Sequence, residues 1–526
     1  MKKYLFSIVL MGILAVFASP ITAYAARRGD MGFFGGITEG RRLPLTTETI
    51  LLQQNNNNNN RNGRNGNTVT LEYQELVFHA GTPQLFHGFL DITSGQPAPD
   101  SQAGTFNVRY VVRPNPAIVS DVVIERTMNF VVTYRRIGSQ LITSYDITRS
   151  NWEETITIDG VVYTLDPTRS MFNISGLEDQ RPGVNYYSGN IFARLVYITG
   201  GGSGIATPLT IEKEGDYFGF SSAWSASETH RTNVNIFSPE GWAMQYQIRP
   251  SVSVNKDLQF GHNEPTIISW AGNYREVHQS FAGLHYDIFV QPQFMWDVPS
   301  HGAIFMETTN VFEQLHAPDL SFIRGHSAED DIHRLFAMHV LAGDPTLFIP
   351  EQAITRGEFM TALARAIKLP VEDPTPPRGA GGRRQPVVVN LFVDVDSNRP
   401  QFRYIAAIQR SGVAFGRADG KFYFDYPITR QEAFATVVRA LGLTSLGLNP
   451  TVVTPFVDSN NIAYWAMREV GVAHTLGLIS PDSNGFIHPT RAISNAEAAA
   501  LFNHLIAFMR HDLVNHYTNE VVHIAR

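Results

Sequence analysis

One five-residue motif occurs three times in the last third of the chain and constrains the fold more than any other feature. It is Ile-Thr-Arg-Gly-Glu at 354–358, Ile-Thr-Arg-Gln-Glu at 428–432 and Ile-Ser-Asn-Ala-Glu at 493–497. A Thr or Ser followed three residues later by Glu is typical of a capping box, which starts a helix. Apolar residues at helical spacing follow each copy. The sequence therefore predicts a repeated unit whose copies bury their apolar faces against each other.

The third residue of the motif is not explained by helix initiation. Arg356 and Arg430 stand at the first helical position, where a cation opposes the helix dipole. The third copy has Asn495 instead. We therefore predict a further task for the two arginines, such as holding an anion or a partner strand.

The repeated unit extends on the N-terminal side of the motif. Before the second and third motifs the chain reads Phe392-Val393-Asp394 and Phe456-Val457-Asp458, then a helical stretch, a Gly-containing turn and a short Phe-containing loop. This pattern, over about residues 322–509, resembles the S-layer homology repeat of Gram-positive surface proteins. The resemblance implies that three copies form an all-α, pseudo-threefold prism. It also implies that grooves between the copies bind a secondary cell-wall polymer, often through ketal-pyruvate groups.

The resemblance also implies a set of binding residues. Mapped onto this sequence, the polysaccharide-binding residues are Arg356, Glu358, Arg430, Glu432, Asp394, Asp458, Trp465 and Glu497. The family's tryptophan is present only in copy three, since Ser327 and Pro400 take its place elsewhere. The amide of Asn495 cannot reproduce the bidentate grip of a guanidinium on a carboxylate. We expect one or two working grooves, with the remaining copy completing the prism.

The N-terminus predicts export. Lys2 and Lys3 precede an apolar stretch, and Ala23-Tyr24-Ala25 is typical of a signal-peptide cleavage site. The apolar stretch, residues 5–17, is shorter than the ~20 residues of a membrane span, although an uncleaved anchor is an alternative. Cleavage removes two lysines and no acidic residue, which moves the formal net charge from −7 to −9 and argues against nucleic-acid binding. The chain has no cysteine, which excludes disulfides and thiolate metal sites.

Residues 26–67 and 68–318 differ in composition. The first stretch contains glycines and an unbroken asparagine run at 55–60, which predicts a flexible leader; self-association through the apolar residues 31–34 is an alternative. In the second, apolar residues alternate with polar ones, as at Phe106, Val108, Tyr110 and Val112. Asp159-Gly160 between two β-type runs predicts a hairpin. We predict a sandwich-like all-β module of undetermined topology.

The β-rich part offers no catalytic motif. It lacks a Gly-rich phosphate loop before a helix, His-Glu-x-x-His and Gly-x-Ser-x-Gly. The neighbours Glu153 and Glu154 should point to opposite faces of a strand and lie in solvent. The spacing of three histidines and two aspartates fits no metal site, and four tryptophans are expected in the core rather than on a sugar-binding face. These residues are His278, His285, His301, Asp287 and Asp297, and Trp224, Trp242, Trp270 and Trp296. We expect no catalytic residue, metal or cofactor.

These predictions combine into a multidomain chain. It consists of a signal peptide (1–25), a leader (26–67), a β-rich module (68–318), copy one (319–369), a linker (370–390), copy two (391–443), a linker (444–455), copy three (456–511) and a tail (512–526).

Two functions remain open at this stage. The first is a secreted surface protein, not an enzyme, held non-covalently on the cell wall in an S-layer or another envelope assembly, with self-association as a further property. The second is a wall-anchored glycan-binding or glycan-hydrolysing enzyme. A cleft with two carboxylates ~5–10 Å apart in the β-rich module would favour the enzyme.

Overall fold

A computed structural model describes the greater part of the chain. The described residues are 35–38, 68–79, 82–95, 97, 101–199, 208–261, 273–292, 299–306, 310–315, 318–371, 392–446 and 454–513. The predicted signal peptide, the apolar residues 31–34 and most of the leader, of both linkers and of the tail lie outside the described residues.

The β module, as we call the described residues from 35 to 315, contains fifteen strands. They are β1 (Gly36–Thr38), β2 (Thr68–His79), β3 (Thr82–Ser94), β4 (Ala103–Pro114), β5 (Val122–Ile137), β6 (Gln140–Ile158), β7 (Val161–Leu165), β8 (Met171–Gln180), β9 (Val184–Thr199), β10 (Pro208–Ser222), β11 (Ser225–Phe237), β12 (Ala243–Gly261), β13 (Asn273–Val290), β14 (His301–Met306) and β15 (Val311–Leu315).

The strands form one antiparallel sheet that follows the order of the chain. β7 and β8 share the place between β6 and β9, and β14 and β15 both pair with β13. The predicted alternation is confirmed on β4, where every second residue from Phe106 to Val112 is buried. The predicted hairpin is confirmed as well: β6 and β7 pair around Asp159 and Gly160, both with the positive φ that such a turn requires.

The sheet folds back on itself, so that its first strands pack against its last ones. The ring of Phe78 on β2 lies 4.1 Å from that of Tyr246 on β12 and 5.5 Å from that of Tyr286 on β13. Ile37 on β1 is fully buried in the same cluster. The two packed layers therefore belong to one continuous sheet. Residues 36–38, which belong to the predicted leader (26–67), form the buried strand β1 in this packing. The prediction of a flexible leader is therefore wrong for these residues.

The helical domain, residues 318–513, contains six described α-helices, two in each copy. They are α1 (Glu329–Ala337), α2 (Arg356–Ala366), α3 (Phe402–Arg410), α4 (Arg430–Leu441), α5 (Met467–Thr475) and α6 (Asn495–Ala507). A π-helical turn, Phe508–Asp512, continues α6. The three predicted capping boxes are confirmed: Thr355, Thr429 and Ser494 each cap the helix that follows, with Glu358, Glu432 and Glu497 reaching back. In the described part of the chain, no helix combines the length and apolar character needed to cross a membrane.

Contacts in the helical domain pass from one copy to the next and return from the third to the first. α2 packs on α3, α4 on α5, and α6 on α1. Backbone bridges join the segments before the capped helices in the same cyclic way: Thr355 with Pro427, Thr429 with Ala492, and Ser494 with Ala353. The apolar core of this domain is continuous with Trp224 and Phe220 of the β module.

Candidate functional site

The motif arginine of copy one reaches into copy two. Arg356 Nη1 lies 3.3 Å from Glu432 Oε1, and its Nη2 donates to the Phe415 carbonyl at 3.2 Å. The guanidinium also lies over the Phe422 ring, 5.1 Å from its centroid. Its side chain is only 13% exposed. Burial lowers the pKa of Arg356, and Glu432 counteracts that shift.

The same contact recurs between copies two and three. Arg430 Nη1 donates to Glu497 Oε1 at 2.7 Å and its Nε to the Ile487 carbonyl at 2.6 Å. From copy three, the side-chain amide of Asn495 donates to the Ile349 carbonyl of copy one at 2.9 Å. The arginines thus stand at an unfavourable helix position because they tie their copy to the capping carboxylate of the next.

Each of these capping carboxylates therefore has two tasks. Glu432 Oε2 accepts from the backbone N–H of Thr429 at 3.0 Å, while its Oε1 faces Arg356. Glu497 divides its oxygens in the same way between Ser494 and Arg430. Burial opposes the ionisation of Glu497, but hydrogen bonds from Arg491 and Ser494 outweigh it and lower the pKa. Glu358 also caps α2 through Thr355. The preceding copy in the cycle, copy three, has Asn495 at the arginine position, and Asn495 donates to the Ile349 carbonyl.

The predicted site residues Asp394 and Asp458 shape the loops before the motif. Asp394 accepts from the backbone N–H groups of Phe422 and Tyr423 at 2.7 and 2.6 Å. Asp458 accepts from those of Ile487 and His488 at 3.1 and 2.7 Å. Tyr423 and His488 both have left-handed backbone conformations, with φ of 60° and 49°. Such residues are strained unless their surroundings hold them, and the paired hydrogen bonds do so.

Trp465 lies apart from the motif arginines. It is 47% exposed, and the Arg439 guanidinium of α4 lies 5.7 Å from its ring centroid. Arg439 is held in turn by Glu469 of α5, at 3.0 Å. Trp465 therefore offers an accessible aromatic surface between copies two and three.

Sequence reasoning missed two exposed arginines beside the motif contacts. Arg417, 63% exposed, has its Nη2 3.8 Å from Glu432 Oε1 and its guanidinium 4.6 Å from the Tyr423 ring centroid. Arg491, 49% exposed, forms an ion pair with Glu497. Arg417 lies in a loop outside the repeated motif, so nothing local marked it. Arg491 stands just before the third motif, and that proximity was the available signal.

The three junctions between copies differ in charge. The first junction (copies one and two) holds Arg356, Arg417 and Glu432, and the second (copies two and three) holds Arg430, Arg491 and Glu497. At the second junction, the backbone carbonyl of Arg491 accepts from the backbone N–H of Arg430. At the third junction (copies three and one), the carbonyl of Gln352 accepts from the N–H of Asn495 in the same way, so Gln352 occupies the position equivalent to Arg491. With Asn495 at the motif position as well, this junction lacks both arginine positions of the second.

The β module brings two carboxylates together, but in its interior. Arg126 binds Glu75 at 2.9 and 3.1 Å and Glu154 at 2.7 Å, and all three side chains are buried. Glu153 and Glu154 do point to opposite faces, as predicted, but the prediction that both lie in solvent is wrong for Glu154. Although burial raises the pKa of Glu154, the pairing with Arg126 lowers it overall. A glycosidase acid needs a raised pKa and access to substrate, so this pair does not fit that role.

A possible metal-ligand set lies elsewhere in the β module. Ligand atoms of Glu276, His278 and Glu313 lie within 4.8 Å of one another. However, Lys256 Nζ is 3.0 Å and Lys368 Nζ 3.7 Å from the Glu276 carboxylate, so ammonium groups already supply the positive charge. His285 and His301 lie on the exposed face, and Asp297 is outside the described residues. The arrangement fits a buried ion-pair cluster better than a metal site.

Of the four tryptophans expected in the core, Trp224 is buried and Trp242 is half-buried. Trp270 and Trp296 lie outside the described residues.

Comparisons with known proteins agree with the motif. The family model of the S-layer homology domain matches residues 391–434 and 455–499. The chain is 28% identical over 176 residues to an S-layer protein of Bacillus licheniformis, which covers 33% of this chain and 18% of that protein. It is 28% identical over 187 residues to an amylopullulanase of Thermoanaerobacterium thermosulfurigenes, covering 35% and 9%. An endoglucanase of Bacillus sp. (strain KSM-635) is 25% identical over 188 residues, covering 35% and 18%. The chain thus spans less than a fifth of the length of these relatives.

Proposed function

We propose that this protein is a surface protein held non-covalently on the cell wall, where its repeats bind an anionic secondary polymer and its β module is displayed. The S-layer homology repeats in copies two and three support a location at the cell wall or cell surface. The observation that carries the proposal is the pair of exposed arginines at the first and second junctions.

The proposal includes three repeats arranged as a pseudo-threefold prism. Support comes from the cyclic bridges and helix contacts, in which copy one takes the same part as the other two.

Charge and exposure assign different tasks to the arginines. The motif arginines are 13 and 14% exposed and are already held by glutamates, so they position the junction. Arg417 and Arg491 project from the same carboxylates into solvent. A guanidinium there can take a carboxylate of the polymer, such as a ketal-pyruvate group, in bidentate fashion. Tyr423 beside Arg417, and Trp465 between copies two and three, offer aromatic faces for a sugar ring. The third junction completes the prism.

The alternative function, a glycan-processing β module, receives less support. Two of the relatives carry the names of glycan-hydrolysing enzymes, but this chain covers only 9% and 18% of their lengths. Within the described residues, the carboxylates of Glu75 and Glu154 are buried around Arg126. Glu276, which lies close to Glu313, is held by two lysines. We therefore propose a non-enzymatic role.

The test is a pelleting assay with the full chain and purified sacculi, before and after removal of the secondary polymer. We expect retention only with the polymer. Equal pelleting with both preparations would overturn the proposal.

Variants of the exposed arginines refine that assay. Arg417→Ala combined with Arg491→Ala should weaken retention more than tenfold, because each lost charge-assisted hydrogen bond is worth ~1.5–3 kcal/mol. Arg324→Ala, an exposed arginine of copy one outside the junction contacts, is the matched control. If the control weakens retention as much as the double variant does, the junctions are not the binding sites.

A further inference from the structure

The C-terminal ends of the three capped helices are covered by the β module. Trp224 Nε1 donates to the Ala366 carbonyl of α2 at 2.7 Å, and the Gly183 N–H donates to the Ala440 carbonyl of α4 at 2.8 Å. Ser225 Oγ donates to the carbonyl of Met509, in the turn that continues α6. The last carbonyls of a helix lack partners within it and need them elsewhere. Here one neighbouring module supplies a partner to each of the three helices.

Trp224 is the centre of this contact surface. Trp224 is 2% exposed, and two lysines lie near its ring: Lys368 Nζ is 4.6 Å and Lys256 Nζ 5.6 Å from the ring centroid. Lys368 follows α2 in copy one, whereas Lys256 lies on β12. Both lysines pair with Glu276 on β13, and all three side chains are at most 4% exposed. Glu276 thus joins a lysine of its own module to a lysine of copy one, so that this buried cluster makes a charged contact across the boundary between the two parts.

Close approach of the two backbones makes the fit specific. A Cβ at Gly183 would lie 3.1 Å from the Ala440 carbonyl oxygen, and a Cβ at Gly442 would overlap the side chain of Arg181. At the end of the third helix, Arg510 donates to the Lys256 carbonyl at 2.6 Å and pairs with Asp257.

From these contacts we propose that the β module and the helical domain form one rigid unit rather than two independently moving domains. In this unit the β module is the base, by which we mean the part that covers the C-terminal ends of α2, α4 and α6. The junctions between copies lie at the N-terminal ends of α2, α4 and α6, and the β module lies at their C-terminal ends. At 1.5 Å per residue, α2 with its 11 residues separates the two by about 16 Å. The orientation of the β module relative to the junctions is therefore fixed. This inference goes beyond wall binding and does not depend on it.

The test uses the full chain with a protease recognition sequence inserted directly before Pro318, between β15 and the helical domain. After complete cleavage, we expect the two parts to remain together in size-exclusion chromatography without denaturant. Separation of the parts at micromolar concentration would overturn the proposal. No polymer is present, so the outcome is independent of the pelleting assay.

Interface variants of the cleavable chain show which contacts hold the parts together. Trp224→Phe keeps a ring and removes the N–H donor, and Lys368→Met keeps the aliphatic stem and removes the charge. Each should raise the dissociation constant of the cleaved parts at least fivefold, whereas Tyr464→Ala, at a 94% exposed residue, should leave it unchanged. Unchanged affinity in both interface variants would contradict the assigned contacts. If one of them fails to fold, the other decides.

Discussion

The two ends of the capped helices are built on different principles. At the N-terminal ends the contacts repeat from copy to copy: each copy has a cap and a residue that reaches the next copy, and in copies two and three the capping carboxylate serves both contacts. At the C-terminal ends an indole, a backbone amide and a hydroxyl of the β module take equivalent parts. A repeated sequence can encode the first end. The contacts at the C-terminal ends depend on segments of the β module that share no sequence pattern. These contacts therefore belong to this chain and are not encoded by the repeat.

The largest expected effect concerns the base. Trp224→Ala in the uncut chain should lower the free energy of unfolding by about 3–5 kcal/mol. The substitution removes a buried ring, the hydrogen bond to the Ala366 carbonyl and the ring's contacts with Lys256 and Lys368. Trp465→Ala should cost less than about 1 kcal/mol, since that ring is half exposed. Urea denaturation followed by circular dichroism measures both. Equal losses would show that the buried ring of Trp224 adds no more to stability than a half-exposed ring does.

The second expected effect lies in the loops at the N-terminal ends. Asp394→Asn and Asp458→Asn should each cost about 2 kcal/mol, because each carboxylate accepts two backbone N–H groups and supports a left-handed residue. Asp425→Asn is the matched control. Its carboxylate is 64% exposed and, among the described residues, forms its ion pair with Arg399, itself 39% exposed, so the cost should stay below about 0.5 kcal/mol. A loss in the control as large as in the other two would contradict this account.

Local patterns predicted the capped N-terminal ends of the helices well. The capping boxes depend on residues three positions apart, and the alternation of β4 on neighbouring residues, so both were visible in the sequence. The base was not, because Trp224 and Ala366 are 142 residues apart and Ser225 and Met509 are 284 apart. Glu154 was misjudged for the same reason: its partner Arg126 lies on another strand. Arg417 acts beside Glu432 only after the loop of copy two has folded.

The third prediction separates the two tasks of the capping glutamates. Glu358→Gln should cost about 1 kcal/mol or less, the value of a weakened cap. Glu432→Gln and Glu497→Gln should cost about 0.5–1 kcal/mol more, because each also weakens a partly buried pair with the arginine of the preceding copy. The difference among the three variants, measured by urea denaturation, isolates the contact between copies. Three equal losses would mean that the arginine pairs add nothing to stability.

The smallest effect should come from making the third junction like the others. Asn495→Arg places a guanidinium where Arg356 and Arg430 stand, opposite Glu358, and should change the free energy of unfolding by no more than about 0.5 kcal/mol, because the lost Ile349 hydrogen bond offsets the new pair. Adding Gln352→Arg supplies the exposed cation that the second junction has in Arg491. If exposed cations bind the polymer, the double variant should be retained on sacculi more strongly than Asn495→Arg alone. Equal retention of the two variants would contradict binding of the polymer by the exposed cation at this position.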